Sequence, residues 1–99
     1  MSDDLSTFQA LAIHGRDNVA VALEDIAPGT QVRVAREGRV ETIAAAEAIP
    51  LGHKLALRAL AAGDPVVKYG EVIGVARVEI GPGLHVHVHN IASQRARAS

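Results

Sequence analysis

The chain has 99 residues and a formal charge of −1, with no cysteine or tryptophan, one tyrosine, one phenylalanine and five histidines. That length suits one domain with a modest core of Val, Ile, Leu and Ala; the composition excludes disulfides, a thiol nucleophile, thiolate zinc sites and iron–sulfur clusters. There is no basic surplus for nucleic acid, and no apolar run approaches the ~20 residues of a membrane span. Residues 1–5 are acidic and polar, a tail rather than a signal peptide. Phe8–Ile13 is an apolar strand candidate running into turn chemistry at Gly15, Arg16 and Asp17. Gln31–Arg36 alternates polar and apolar residues, and Glu37-Gly38 offers a hairpin into Arg39–Ile43. Residues 53–60 carry helix formers, Val72–Ile80 and His85–Ile91 read as strands, and Ser93–Ser99 reads as a second tail. One domain over residues 6–92 is expected, in the reducing cytoplasm that a cysteine-free chain suits.

A short internal repeat settles the ambiguous stretch. Segments 21–32, 55–66 and 75–86 share Ala (Ala22, Ala56, Ala76), then an aliphatic (Ile26, Leu60, Ile80), Gly (Gly29, Gly63, Gly83) and Val (Val32, Val66, Val86). The copies are unevenly spaced, so they do not make a solenoid. Ala and the aliphatic lie four apart, an even number that places them on one face of a strand. Ala27-Pro28-Gly29 and Gly81-Pro82-Gly83 put Pro and Gly where a type II turn wants them. Residues 53–60 are therefore read as a strand, and the whole as an all-β barrel or clip of short strands joined by β-turns.

The strongest chemical signal is His85-Val86-His87-Val88-His89-Asn90. In a strand, alternation sets the three imidazoles on one face about 6.7 Å apart, with Val86 and Val88 toward the core. Imidazole titrates near neutrality and is the commonest metal ligand, so such a face suits a base, an acid or a metal site. The bland alternative is a solvated polar edge. His14 and Asn18 flank a turn that an ordinary Asx motif would also explain. The lysines, Lys54 and Lys68, both lie in glycine-flanked motifs, beside Gly52-His53 and Tyr69-Gly70. Surface lysines are usually solubilisers. Gathered with His14, Arg16 and His53, however, they would form a locally cationic site suited to a small carboxylate.

Four motifs in order, His14-x-x-Asp17-Asn18, Pro50-x-Gly52-His53-Lys54, Lys68-Tyr69-Gly70-x-x-Ile73-Gly74 and His87-x-His89-Asn90, resemble the SAF (β-clip) domain of the altronate/galactarate dehydratase, or UxaA, family. The resemblance runs from His14 to Ile91. It implies a small β-clip barrel working with a much larger catalytic chain, here in its separate small-subunit form, with a divalent metal, iron in particular, held mainly by that larger chain. It also implies a sugar-acid substrate such as altronate or galactarate, or a sulfonated hydroxy acid as in (2R)-sulfolactate sulfo-lyase. No nucleic acid or membrane partner is expected; the isolated chain could self-associate.

On this reading His87, His89 and His14 move protons, while Asn18, His53, Lys54, Lys68, Tyr69 and Asn90 bind or orient substrate. His87 and His89 are alternatively metal ligands, and His85 lies outside the firm part of the motif. Two other functions are kept beside it: a non-catalytic module that binds sugar acids, and a metal-delivery protein using the histidine strand. A chain this small offers too little concave surface for a sugar-acid pocket of its own, so it is expected to be inactive alone.

Overall fold

The computed structural model of the chain describes residues 7–93. Nine strands form among them: β1 (Ala10–Leu11), β2 (Val19–Ala22), β3 (Gln31–Arg36), β4 (Arg39–Ala44), β5 (Lys54–Ala56), β6 (Pro65–Lys68), β7 (Glu71–Ala76), β8 (His85–Val86) and β9 (Ile91–Ser93). They pair as a six-stranded sheet in the order β4-β3-β1-β2-β5-β8 and a three-stranded sheet β6-β7-β9. Among the described residues no helix is long and apolar enough to cross a membrane. The expected N-terminal tail lies outside the described residues, as does the C-terminal one apart from Ser93, which ends β9.

The all-β expectation holds, but the sheets do not close into a barrel. Strands β4 and β8 remain as open edges of the larger sheet. Closure needs tilt and stagger carried through strands of useful length. Here β1 and β8 have two residues each and β5 has three, so the sheet cannot curl onto itself. The strand expected over 53–60 is real only at Lys54–Ala56; a bend follows, and Leu60 makes an isolated bridge with Ile80.

The repeat explains this architecture. Every shared apolar position is buried: Ala22, Ile26 and Val32; Ala56, Leu60 and Val66; Ala76, Ile80 and Val86. The structure adds a fourth copy with the same spacing, Ala45, Ile49, Gly52 and Leu55. In each copy the chain bends after Ala, bridges at the aliphatic, turns at Gly and enters a strand. The turns need a positive φ at their third residue, which glycine supplies; in the Gly63 turn φ is 93° and Asp64 N donates to Ala61 O at 3.0 Å.

Copies pair two by two. Ile26 and Ile49 exchange both backbone hydrogen bonds (2.9 and 2.9 Å), as do Leu60 and Ile80 (2.8 and 2.8 Å). Ala22 and Ala45 each donate to the partner copy beside its turn, at His53 O and Thr30 O (2.8 Å in both cases), which gives the pair a local two-fold relation. One pair builds a core with Val34, the other a core with Val19. Adjacent residues of β5 divide between them: Leu55 enters the first core, and Ala56 the second. Each fully buried Leu or Ile contributes roughly 1.5–3 kcal/mol, so the two small cores together replace the missing aromatic centre.

Candidate functional site

The site forms where the two halves meet. Strand β5 pairs antiparallel with β8, Lys54 opposite Val86 and Leu55 opposite His85. Continued by one residue, that register sets His53 opposite His87 and directs both rings to one face. The His53 and His87 rings stack with centroids 3.9 Å apart. His53 Nδ1 lies 2.7 Å from His85 Nε2, a hydrogen bond in which one ring donates. One ligand nitrogen from each of His53, His85 and His87 lies within 4.8 Å of the others, and all three rings are half-buried.

The histidine trio therefore differs from the one alternation predicts. The chain leaves β8 after Val86 and turns over residues 87–90, so Val88 is 72% exposed rather than in the core. His89 is exposed, its ring 5.1 Å from that of His85 and tilted by 41°. Asn90 makes the turn: its Nδ2 donates to His85 O (2.8 Å), and its Oδ1 accepts from His87 N (2.9 Å). Its backbone N donates to His87 O at 3.0 Å. Asn90 is 7% exposed and shapes the histidine turn, leaving its side chain little to offer a substrate. Glu47 Oε2 accepts from His85 N (2.8 Å).

Electrostatic neighbours extend this face. Burial first, then the charges of His53, His89 and His87, lower the His85 pKa, with Glu47 opposing. Burial first, then His53, Lys54 and His89, lower that of His87. Lys54 is lowered by burial and by the nearby Lys68 charge. Lys68 Nζ lies 5.1 Å from the Tyr69 ring centroid, a cation–π contact. Lys68, Lys54 and His87 are thus electrostatic neighbours in that order.

His14 joins through the Tyr69-Gly70 turn. Both turn residues have positive φ (54° and 82°) and Lys68 pairs with Glu71, the two-residue form favoured in hairpins. Tyrosine there is strained by roughly 1–3 kcal/mol, and the surroundings must hold it. Asp17 supplies that hold. Its Oδ1 accepts from Gly70 N (2.7 Å), and its Oδ2 from Ile13 N (2.9 Å) and His14 N (3.0 Å). The exposed His14 ring lies against Gly70, where an added Cβ would come within 3.2 Å of it. Arg36 Nη1 caps the segment from outside through Asp17 O (2.8 Å).

Asn18, expected to bind substrate, is 1% exposed. Its Nδ2 donates to Pro65 O (2.9 Å), and its Oδ1 accepts from Val67 N (2.8 Å), which ties β2 to β6. Both ends of the amide serve the scaffold. The sequence-based site omitted Asp17 and Glu47 and discounted His85. The signal available for Asp17 was its place in the His14-x-x-Asp17-Asn18 motif.

Comparison with known proteins fits this geometry. The sequence profile of the altronate/galactarate dehydratase SAF domain matches residues 8–94. Altronate dehydratase of Escherichia coli (strain K12) is 46% identical over 82 residues, 83% of this chain and 16% of that protein. The Bacillus subtilis (strain 168) altronate dehydratase is 40% identical over 80 residues, 81% of this chain and 15% of that enzyme. The chain thus spans about a sixth of those relatives' length. The (2R)-sulfolactate sulfo-lyase subunit alpha of Chromohalobacter salexigens is 37% identical over 87 residues, 84% of this chain and 93% of that subunit. The chain belongs to the family of altronate/galactarate dehydratase SAF domains.

Proposed function

We propose that the chain is the small, SAF-domain part of a cytoplasmic hydro-lyase acting on a sugar acid, with the rest of the active site on a larger catalytic chain. The observation that carries this reading is the cluster of His53, His85 and His87, with Lys54 near enough to act on His87 electrostatically and Lys68 on Lys54. In a β-elimination a base takes the proton α to a carboxylate, and an acid assists departure of the β hydroxyl. A half-buried imidazole with a lowered pKa, such as His87, suits the first task as an alternative to holding a metal. Lys54 and Lys68 suit the substrate carboxylate. The imidazole set fits a divalent metal, iron in the related chemistry, which when bound would stabilise enolate charge.

A second reading, the small subunit of a sulfolactate-type sulfo-lyase, is favoured by the likeness to a subunit of matching length. There the β sulfonate leaves as sulfite. Both readings predict no turnover by the purified chain alone and recovery when a larger catalytic chain of the family is supplied. Robust activity without a partner would overturn them. In the reconstituted complex, His87→Ala should abolish turnover while assembly and substrate affinity persist. Loss of affinity alone would mark a binding module without chemistry.

A further inference from the structure

The most unusual feature of the surface is three stacked imidazoles, His53, His85 and His87, whose ligand nitrogens lie close together. We infer that His53, His85 and His87 form a three-nitrogen site for a divalent transition metal in this chain itself, with its remaining coordination positions open to solvent. The set differs from the His87 and His89 pair that the family resemblance suggests. It needs no larger chain, so it stands or falls apart from the lyase reading.

Three features support it. Three nitrogens bound at about 2.1 Å in a tetrahedral arrangement lie about 3.4 Å apart. Here one pair is at 2.7 Å and all three are within 4.8 Å, which brackets that spacing, and the stacked rings must turn toward a common centre to bind one ion. The rings also stand on a fixed backbone. His53 N donates to Pro50 O (2.9 Å), and its carbonyl accepts from Ala22 N (2.8 Å). His85 N donates to Glu47, while Asn90 holds His85 O and His87 N with one side chain. Such outer contacts are what ligand orientation requires. Finally, a neutral donor set of imidazoles suits zinc, iron, cobalt, nickel or copper rather than magnesium or calcium. Three histidines with open positions are the arrangement of a reactive metal, not of a closed structural one. With neutral ligands the ion keeps its full charge, so the open positions favour an anionic oxygen ligand, such as a carboxylate or alkoxide. Lys54 beside His87 opposes the cation, whereas the Glu47 carboxylate near His85 favours it.

The test is calorimetric titration of the untagged full chain with Zn(II), together with the visible spectrum of its Co(II) form. One equivalent should bind. His53→Ala, His85→Ala and His87→Ala should each weaken Zn(II) binding about 100-fold, and Asn90→Ala about tenfold or more. His89→Ala and His14→Ala should leave it within a few-fold of the parent, and circular dichroism should show all variants folded. Binding that survives loss of His53 or His85, or that depends on His89 instead, would overturn the assignment. So would failure of the parent chain to saturate with one Zn(II).

Discussion

Replacing Asp17 by Asn changes one buried oxygen to an NH2 group, and the consequence can be worked from the contacts. The carboxylate is 2% exposed and receives three backbone N–H groups, from Ile13, His14 and Gly70. An amide has one acceptor end. If it keeps Gly70, the N–H groups of Ile13 and His14 face an N–H donor; if it turns over, Gly70 does. Each buried donor left without an acceptor costs about 1–3 kcal/mol, and the amide takes the orientation that orphans one, so Asp17→Asn should destabilise by roughly 1–3 kcal/mol. For a domain of this size that is a fall in Tm on the order of 5–20 °C. Urea unfolding at neutral pH, followed by circular dichroism, measures it. The same experiment reports locally, because Tyr69 is the sole tyrosine and tryptophan is absent, so intrinsic emission comes from the turn that Asp17 clamps. The pH dependence has a definite sign. Burial pushes the Asp17 pKa up, but the backbone N–H groups of His14, Gly70, Ile13 and Tyr69 outweigh it, leaving the net below its ordinary 3.8. A depressed folded-state pKa stabilises above the unfolded value and loses that contribution as pH falls through the folded one. The gap between parent and Asp17→Asn should therefore be widest near neutrality and narrow below about pH 4. A loss under about 1 kcal/mol at neutral pH, or a gap that widens in acid, would refute the clamp.

Gly83→Ala and Gly63→Ala change equivalent turn positions yet should differ sharply. Both impose a positive φ on alanine, but an added Cβ meets nothing within 4 Å at Gly63 and runs into the Ala44 carbonyl at Gly83. Gly63→Ala should cost about 1–2 kcal/mol and Gly83→Ala clearly more, by urea titration; equal costs would mean that the Ala44 contact is easily relieved. Leu60→Ala removes a side chain from the smaller core and should cost about 2–5 kcal/mol in the same assay. A cost under about 1 kcal/mol would show that the core collapses around the gap.

Local signals in the sequence were reliable wherever the structure depends on local signals. The Glu37-Gly38 hairpin and strands β3 and β4 follow from alternation and turn chemistry, and they form as expected. The repeat was legible because burial and turn geometry act at fixed spacing, and it outweighed the helix propensity of residues 53–60. Its fourth copy was harder to see. Proline sits at Pro50, one place earlier than in the turns containing Pro28 and Pro82, and Leu55 replaces the terminal valine. The alternation of His85 to His89 misled because it assumes the strand continues. The Asn90 side chain bends the chain after Val86, a contact that no periodicity records. Most of the site lay beyond sequence reasoning for the same reason. His53 meets His85 only through the pairing of β5 with β8, and Asp17 meets Gly70 across 53 residues of chain.

The position of the site follows from the way four copies make a domain. Each pair of copies closes its own small core, and the halves are joined where Leu55 and Ala56 face opposite cores. A strand buried in this way cannot slip by one residue without exchanging the two cores. The register of β5 against β8 is thus fixed by apolar packing, and that register sets His53 against His87. The halves contribute unequally: His53 ends the turn of a first-half copy, whereas His85 and His87 follow the last turn of the second. Burial and the neighbouring charges disfavour the charged forms of His85 and His87. The cores and the Asn90 clamp nonetheless hold the arrangement, which is the preassembly that the proposed three-nitrogen site requires.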